Sequence, residues 1–210
     1  MTLKAELYEG VINGDGEAVK KLTAQGVAQG IKAGELLNDV LIPAMTDVGR
    51  RFERQEFFVP EMLVAARAMK WGVEVLRPHL VAAGVKPIGT VVMGTVSGDL
   101  HDIGKNLVIM MLEGTGFRVI DLGVDVSADK FVAAIREHKP QLVAMSALLT
   151  TTMMGMKASV EAFKKAGVRD QVKVMIGGAP LTQRFADEIG ADVYAADASS
   201  AARKAREALA

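Results

Sequence analysis

Three short clusters of residues in this chain are suited to chemistry, and the first of them holds one of only three histidines. In residues 98–104 (GDLHDIG) the imidazole of His101 stands between two aspartates, residues 146–152 (SALLTTT) supply hydroxyls, and residues 177–178 are paired glycines. Imidazole and carboxylate side chains can move protons or hold a metal ion. Hydroxyls form hydrogen bonds, and glycines let a ligand approach the backbone closely. The clusters therefore predict a ligand site, provided that the fold brings them together.

Each cluster alone also has an ordinary structural interpretation. A single histidine beside a helix N-terminus is often a capping or solvated residue, and paired glycines after a strand are typical of turns. A threonine run can supply a helix N-cap. The arrangement of the clusters in the fold therefore decides between one site and three unrelated turns.

Two halves with different hydrophobic periods must position these residues. Up to about residue 82, apolar residues recur every three or four positions in four segments, which predicts a four-helix bundle. Pro43 predicts a kink or a short break inside the third segment, and Pro60 with Glu61 predicts the start of the fourth helix. Residues 81–89 (VAAGVKPIG) lack periodicity and predict a linker.

From residue 90 onwards, short apolar runs alternate with helical patterns in five strand–helix units. Near-continuous apolar strands are typical of a parallel sheet covered on both faces. We expect an α/β domain of flavodoxin-like or Rossmann-like type with strand order 2-1-3-4-5, in which the helix after the first strand begins at His101. The three clusters then follow strands one, three and four, which are neighbours, and ligands of such folds bind beyond the carboxyl ends of those strands.

The composition excludes several classes of site. The 210 residues contain no cysteine, which rules out disulfides, thiolate metal sites and a cysteine nucleophile. Equal numbers of basic and acidic residues predict no basic patch for nucleic acid. The charged N-terminus and the lack of an apolar run of about 18 residues argue against a signal peptide and a membrane span. We therefore expect a cytoplasmic protein with neither nucleic-acid nor membrane partners.

The clusters do not fit the common ligands of this fold. No glycine-rich loop ends in Gly-Lys-Ser or Gly-Lys-Thr, and no G-x-G-x-x-G follows the first strand. Aromatic side chains for a flavin are scarce, and Ser146 stands where a phosphoacceptor domain would have its aspartate. Zinc would need further ligands near His101. One histidine can still bind a metal when a macrocycle supplies the other ligands, and Asp99 would then accept a hydrogen bond from the second ring nitrogen.

The spacing of the clusters resembles the cobalamin-binding signature D-x-H-x-x-G…S-x-L…G-G. The matching residues are Asp99, His101 and Gly104, then after 41 residues Ser146 and Leu148, then after 28 residues Gly177 and Gly178. The helical half resembles the cap that precedes this module in methionine synthase and in the corrinoid proteins of methyltransferase systems. The resemblance implies a helical cap domain at residues 1–82 and a cobalamin-binding α/β domain at residues 90–210.

The resemblance assigns the clusters to a cobamide, which is cobalamin, methylcobalamin or a related corrinoid with cobalt at its centre. His101 would be the lower axial ligand of cobalt, in place of the cofactor's own base, and Asp99 would bond the other ring nitrogen. Thr152, at the position of a relay serine in methionine synthase, keeps the hydroxyl and adds a methyl. The nucleotide tail would enter beside strands one, three and four. The implied cofactor-binding residues of this domain are Gly98, Asp99, Leu100, His101, Asp102, Ile103, Gly104, Ser146, Leu148, Thr150, Thr152, Gly177, Gly178 and Ala198.

The resemblance also implies that the cap supplies the upper face of the site. Residues 50–63 (RRFERQEFFVPEML) are similar to the stretch that lies over the methyl group in methionine synthase. Apolar cover would keep reactive cobalt from water and oxidants. The cap would swing away during each transfer, with Gly84 and Gly89 of the linker as the hinge. The implied covering residues are Phe52, Phe58, Val59 and Met62.

The implied function is that of a corrinoid carrier protein, since a chain of this length leaves no room for a catalytic barrel. Such a carrier receives a methyl group from a substrate-specific methyltransferase and passes it to an acceptor methyltransferase that uses tetrahydrofolate or a thiol, with a reductive activator as a further partner. The alternatives are a B12-dependent sensor or light-responsive regulator and the small subunit of an adenosylcobalamin mutase. Trp71 is not followed by the adjacent Glu-His pair of such sensors, and the methyl-type cap argues against the mutase subunit.

Overall fold

The computed structural model describes residues 2–210, which form two compact units. The first unit ends at Pro87 and also contains Gly114–Gly116, and the second consists of Ile88–Glu113 and Phe117–Ala210. Regular secondary structure of residues 2–87 is helical, whereas strands and helices alternate in the second unit.

The helical unit consists of four helical segments, in agreement with the four that the apolar spacing predicts. Its core contains large side chains that are fully buried, each of which stabilises the fold by roughly 1.5–3 kcal/mol. The helices are α1 (Leu3–Ile12), α2 (Gly16–Ala28), α3 (Ala33–Leu36), α4 (Ile42–Glu53) and α5 (Val59–Ala82), and a π-helical turn (Leu37–Leu41) makes α3 and α4 continuous. The core side chains include Leu7, Leu36, Leu41, Met45, Met69 and Leu76.

The irregularity predicted at Pro43 is a widened turn rather than a break. The π-helical turn comes directly before α4, and its last hydrogen bond runs from the N–H of Ile42 to the carbonyl of Leu37. Pro43 lacks an N–H, so the helical hydrogen-bond pattern must change around it. At the next helix, Glu61 accepts the N–H of Phe58 at 2.9 Å, which supports the predicted start of α5.

The second unit is a five-stranded parallel sheet with strand order 2-1-3-4-5, which confirms the expected fold. Its strands are β1 (Thr90–Thr95), β2 (Arg118–Asp121), β3 (Leu142–Ser146), β4 (Lys173–Gly177) and β5 (Val193–Ala195). Its helices are α6 (Ile103–Gly114), α7 (Ala128–His138), α8 (Met153–Lys165), α9 (Gln183–Ile189) and α10 (Ala198–Ala208), with a 3₁₀ turn at Arg169–Gln171.

Successive side chains of a strand point to opposite faces of the sheet, and both faces are covered. Val92, Val143 and Val174 face one core cluster. In the same cluster Phe131 of α7 and Phe163 of α8 meet edge to face, with ring centroids 6.3 Å apart. The intervening strand residues are buried as well, which explains the near-continuous apolar runs of the sequence.

The helix after β1 begins at Ile103, so the expectation that it begins at His101 was wrong by two residues. Both backbone groups of His101 are bonded outside the helix: its N–H donates to the Asp99 carboxylate, and its carbonyl accepts the Thr95 hydroxyl. Asp102 then precedes the first turn, and its carbonyl accepts the N–H of Asn106 at 2.8 Å. His101 therefore stands on the loop that leads into the helix.

No helix among residues 2–210 combines the length and the apolar character that crossing a membrane would require.

Gly178 is required by the packing of β4 against the end of β3. A Cβ at Gly178 would lie 1.9 Å from the carbonyl oxygen of Ala147, and the residue has φ +142°. We expect Gly178→Ala to lower the free energy of unfolding by roughly 3 kcal/mol or more, because the backbone must shift. Gly167→Ala is the matched control, since Gly167 has φ +69° with nothing within 4 Å of a Cβ, and should cost only about 1 kcal/mol. Equal losses in urea unfolding would contradict this account.

Candidate functional site

The three clusters meet at the carboxyl edge of the sheet. Thr95 pairs with Ser146 in the β1–β3 register, and Ser146 pairs with Gly177 in the β3–β4 register. The loop with His101 leaves β1 at this edge, the hydroxyl-rich loop leaves β3, and the paired glycines end β4. The predicted neighbourhood of the clusters is thus a property of the strand order.

The carboxylate of Asp99 is the centre of the site. Asp99 is fully buried, and its two oxygens accept four hydrogen bonds. Oδ1 accepts the backbone N–H of His101 at 3.0 Å and lies 2.6 Å from its Nδ1. Oδ2 accepts the N–H of Leu148 at 2.7 Å and the hydroxyl of Thr152 at 2.8 Å. One carboxylate therefore connects the β1–α6 loop to the β3–α8 loop.

These hydrogen bonds keep Asp99 ionised. Burial by itself would raise the pKa of this carboxyl, because a buried carboxylate loses its hydration. The donors from Leu148, His101 and Thr152 outweigh burial, and the pKa of Asp99 lies well below its usual value. An ionised carboxylate has no proton to donate, so all four partners must be donors.

The ionised carboxylate selects one form of the His101 imidazole. Nδ1 must carry a proton in order to donate to Oδ1. In the neutral ring, Nε2 then has a free lone pair, which is the form in which histidine binds metals. The His101 side chain is 50% exposed. The site can therefore offer a nitrogen ligand to a metal that approaches from the open side.

Thr152 reaches the carboxylate despite its added methyl group. Its hydroxyl lies 2.8 Å from Asp99 Oδ2 and 2.9 Å from the carbonyl oxygen of Leu149. A hydroxyl has one hydrogen, which these two acceptors must share. Asp99, His101 and Thr152 are therefore joined by hydrogen bonds, in the aspartate–histidine–hydroxyl series that the resemblance implies.

Thr95 supports the histidine loop and was missed in the sequence. Its buried hydroxyl donates to the His101 carbonyl at 2.9 Å and lies 2.9 Å from Ser146 Oγ. Because a carbonyl can only accept, the single hydrogen of Thr95 is committed to His101, and Ser146 must donate to Thr95. A polar residue at the carboxyl end of an otherwise apolar strand was the available signal.

The loop between β2 and α7 also contacts the histidine segment, and it too was missed. Asp125 Oδ1 accepts the N–H of Gly98 at 2.7 Å and the hydroxyl of Ser97 at 3.1 Å. The N–H of Asp125 donates to the Asp99 carbonyl at 3.0 Å. The Gly98 and Ser97 donors lower the pKa of Asp125. No motif in the sequence marks this loop, since its contacts depend on the path of the chain.

A buried lysine holds the start of α6 to the end of β2, where the same loop begins. Lys105 is 2% exposed, and its ammonium lies 2.7 Å from Asp121 Oδ2 and 2.7 Å from Asn106 Oδ1. Asp121 also accepts the N–H of Gly123 at 2.9 Å through its other oxygen. The β2–α7 loop is therefore bonded to the chain on both sides of His101.

Apolar side chains on the two site loops are open to solvent. Leu100 is 72% exposed and Ile103 is 78% exposed, and Leu148 and Leu149 are exposed as well. Nothing lies within 4 Å of a Cβ built on Gly104. These features leave an open apolar surface beside the imidazole.

The remaining predicted residues of the α/β domain have mixed surroundings. Gly98 is exposed and has φ +80°, and Thr150 is exposed. A Cβ on Gly177 would lie 3.1 Å from the carbonyl oxygen of Ala195, so this glycine, like Gly178, has a reason within the fold. Ala198 is buried at the start of α10, directly beyond β5.

The four predicted covering residues belong to the helical unit. Phe58 is 63% exposed, and Val59 is also exposed. Phe52 is half-buried, whereas Met62 is buried. Their role toward a cofactor stays a prediction.

Among residues 2–210, no three His, Asp or Glu side chains come together in a group that could hold a metal ion. A metal at His101 must therefore bring most of its own ligands.

Family models match both halves of this chain and show the family to which it belongs. A B12 binding domain matches residues 89–205, which is more than half of the chain, and a second B12 binding domain matches residues 3–77. The chain belongs to the B12-binding domain family. Membership implies a cobamide cofactor, with cobalt at its centre.

Similar proteins cover nearly the whole chain. The trimethylamine corrinoid protein of Methanosarcina barkeri is 44% identical over 98% of this chain and 95% of its own length. The dimethylamine corrinoid protein 1 of Methanosarcina mazei is 43% identical over 99% of this chain and 96% of its own length. A chain of the methanol:cobalamin methyltransferase complex of Methanosarcina barkeri has 30% identity and a TM-score of 0.86, covering 99% of this chain and 79% of that one.

The observed site fits the cofactor that the B12-binding family implies. A cobamide is a large ring, with methyl and amide groups around its edge, that already supplies four nitrogen ligands of cobalt. It needs one axial nitrogen, which Nε2 of His101 can give, and apolar surface, which Leu100 and Ile103 expose. The open space at Gly104 lies in the first turn of α6, directly after the histidine loop. The donor set and the surface therefore agree with the family.

Removing the Thr152 hydroxyl should destabilise the protein through Asp99. We expect Thr152→Val to lower the free energy of unfolding by about 1–3 kcal/mol at pH 7, because a buried charge loses a donor. Since the folded-state pKa of Asp99 is lowered, its stabilisation is present above the unfolded pKa of about 4 and is lost as the pH falls. The deficit of Thr152→Val should therefore shrink only as the pH falls well below about 4, through the lowered folded-state pKa of Asp99. Thr152→Ser keeps the hydroxyl, and an equal loss in both variants at pH 7 would rule out this role.

Adding a methyl group at Gly104 should separate fold stability from cofactor binding. We expect Gly104→Ala to stabilise the cofactor-free protein by about 0.5 kcal/mol, since alanine favours the helix and nothing opposes its Cβ. Cobamide affinity, measured by spectral titration, should fall about tenfold if the cofactor occupies that space. Gly34→Ala, at the same position of α3, should leave the affinity unchanged. A stabilised Gly104→Ala with full affinity would show that the cofactor lies elsewhere.

Proposed function

We propose that this chain is a corrinoid protein that carries methyl groups between methyltransferases, with His101 as the lower axial ligand of cobalt. The contact between His101 Nδ1 and Asp99 Oδ1 at 2.6 Å supports the proposal most directly, because it leaves Nε2 free for the metal. Relatives named as corrinoid proteins cover nearly the whole chain, which supports the same function.

When bound, the cobamide supplies a metal centre that can accept and release a methyl group. The protein contributes axial ligation, orientation and protection from water. His101 gives the axial nitrogen, and Asp99 fixes the ring through Nδ1 and through the backbone N–H. Thr95 donates to the carbonyl of the same residue and accepts a hydrogen bond from Ser146. The imidazole is therefore aligned before the cofactor arrives.

The hydrogen-bond series gives the protein a place for a proton. A cobamide bound here would be held through the Nε2 lone pair. Asp99 holds the ring proton at Nδ1, on the side away from that lone pair. Thr152 stabilises the negative charge of Asp99 at the other oxygen. Its hydroxyl hydrogen can point to Oδ2 or to the Leu149 carbonyl. Three side chains thus share the hydrogens that orient the proposed ligand nitrogen.

The methyl donor that we propose is a methylated amine. The trimethylamine and dimethylamine relatives are equally similar to this chain, at 44% and 43% identity. This similarity supports a carrier whose substrate is selected by the partner methyltransferase. The relative from the methanol:cobalamin methyltransferase complex supports direct association with a substrate methyltransferase. An acceptor methyltransferase that uses a thiol or tetrahydrofolate, and a reductive activator, complete the proposed set of partners, in the cytoplasm.

The sensor and mutase alternatives are not favoured, because the corrinoid relatives align along both units of the chain. Residues 1–82 are proposed as the cap domain and residues 90–210 as the cofactor domain. Phe52, Phe58, Val59 and Met62 remain our candidates for covering the cofactor. Of the proposed hinge glycines, Gly84 has φ +66° with open space around it, whereas Gly89 accepts the N–H of Arg118 at 2.9 Å. The linker residues before Ile88 are therefore the better hinge.

Replacing His101 should remove the axial nitrogen without removing the fold. We expect the wild-type protein loaded with cob(II)alamin to show nitrogen hyperfine coupling from histidine in its electron paramagnetic resonance spectrum, which ¹⁵N labelling of the histidines alters. His101→Ala should lose this coupling and recover it with added imidazole. His138→Ala, at the end of α7, should behave as wild type. An unchanged histidine signal in His101→Ala would refute the ligand assignment.

A further inference from the structure

The β2–α7 loop, residues 122–127, has two residues with left-handed backbone, and only one of them is a glycine. Gly123 has φ +85°, and nothing lies within 4 Å of a Cβ built there. Asp125 has φ +51°, which costs a residue with a side chain energy, although aspartate tolerates it better than most. The backbone alone would favour glycine at both positions. The side chain of Asp125 therefore has to be explained by its contacts.

Those contacts are all made with the segment that leads from β1 to His101. The Asp125 carboxylate accepts from Ser97 and Gly98, and its N–H donates to the Asp99 carbonyl. The left-handed backbone is what lets one residue use its side chain and its N–H on three consecutive residues. Asp125 thus holds the turn at residues 97–99, which precedes His101, by three hydrogen bonds.

These hydrogen bonds affect the site because the orientation of Asp99 depends on this turn. The backbone of Asp99 is fixed on one side by its N–H to the Val96 carbonyl at 3.1 Å and on the other by the N–H of Asp125. Gly98, which directly precedes Asp99 and has φ +80°, donates its N–H to the Asp125 carboxylate, its only described polar partner. Without that carboxylate, the turn can sample other conformations, and the Asp99 carboxylate moves with it.

We propose that Asp125 is a positioning residue for the axial histidine, which it holds in place through Gly98 and Asp99. The inference rests on the proposed function, since it assumes that His101 ligates a cobamide. Asp125 itself is exposed and touches neither the imidazole nor the proposed ligand nitrogen. Its effect on the imidazole must therefore be indirect.

Three substitutions separate positioning from fold stability. Asp125→Asn keeps an acceptor oxygen and tolerates the left-handed backbone. Asp125→Gly relieves the backbone but removes the acceptor, and Asp125→Ala removes the acceptor without relieving the backbone. Asp129→Asn, an exposed aspartate in the first turn of α7, is the matched control. For each variant we would measure the melting temperature without cofactor, the affinity for aquocobalamin, and the histidine nitrogen coupling after loading with cob(II)alamin.

We expect Asp125→Gly and Asp125→Ala to bind cobalamin about tenfold more weakly or worse, with a reduced fraction showing histidine coupling. Asp125→Asn should restore most of the affinity and the coupling, and Asp129→Asn should match wild type. Asp125→Gly should be weak in binding even though its melting temperature is at least that of Asp125→Ala. Should Asp125→Ala fail to fold, the comparison of Asp125→Gly with Asp125→Asn carries the test.

Two results would overturn the inference. Asp125→Gly could bind with wild-type affinity and full histidine coupling, or affinity could follow melting temperature across the series, as a purely structural role would require. The proposed function fails in a different way, because wild-type protein would then lack histidine coupling altogether. The two failures are therefore distinguishable in one set of samples.

Discussion

The site depends on one buried negative charge whose hydrogen-bonding positions are all filled. Burying a carboxylate costs several kcal/mol unless donors replace its lost hydration. Asp99 obtains four such donors from the β1–α6 and β3–α8 loops, so the charge is stable only when both loops are in place. The same requirement fixes the imidazole, which supplies one of the four. Electrostatics of the interior thus set the geometry of the proposed metal ligand.

This arrangement suits a carrier better than a catalyst. The protein has to hold its cofactor through many transfers, and a ring aligned in advance loses little freedom when it binds the metal. The loops around the carboxylate provide apolar surface rather than further acids or bases, with Leu100 and Ile103 exposed beside His101. The bond chemistry is left to the cofactor and the partner enzymes. The B12-binding family, to which the chain belongs, is consistent with a protein that binds the cofactor and leaves the reaction to it.

Much of this arrangement could be predicted from the sequence, because it follows from patterns along the chain. Apolar runs predicted the strand order, and the strand order alone brings Thr95, Ser146 and Gly177 side by side. The role of Asp125 could not be predicted, because it depends on the path of a loop through space. The reason for Gly178 within the fold could not be predicted either, because only the structure shows that the carbonyl of Ala147 excludes a side chain there; its role toward a ligand stays a prediction.

The central claim is that Asp99 holds His101 with its proton on Nδ1 and so keeps Nε2 free for cobalt. Long-range ¹H–¹⁵N correlation spectra of the cofactor-free protein near pH 8 measure this directly, since a protonated and a bare ring nitrogen differ strongly in ¹⁵N shift. We expect the ¹⁵N shift of a protonated nitrogen at Nδ1 and that of an unprotonated nitrogen at Nε2 of His101. The opposite pair of shifts, with the proton on Nε2, would contradict it.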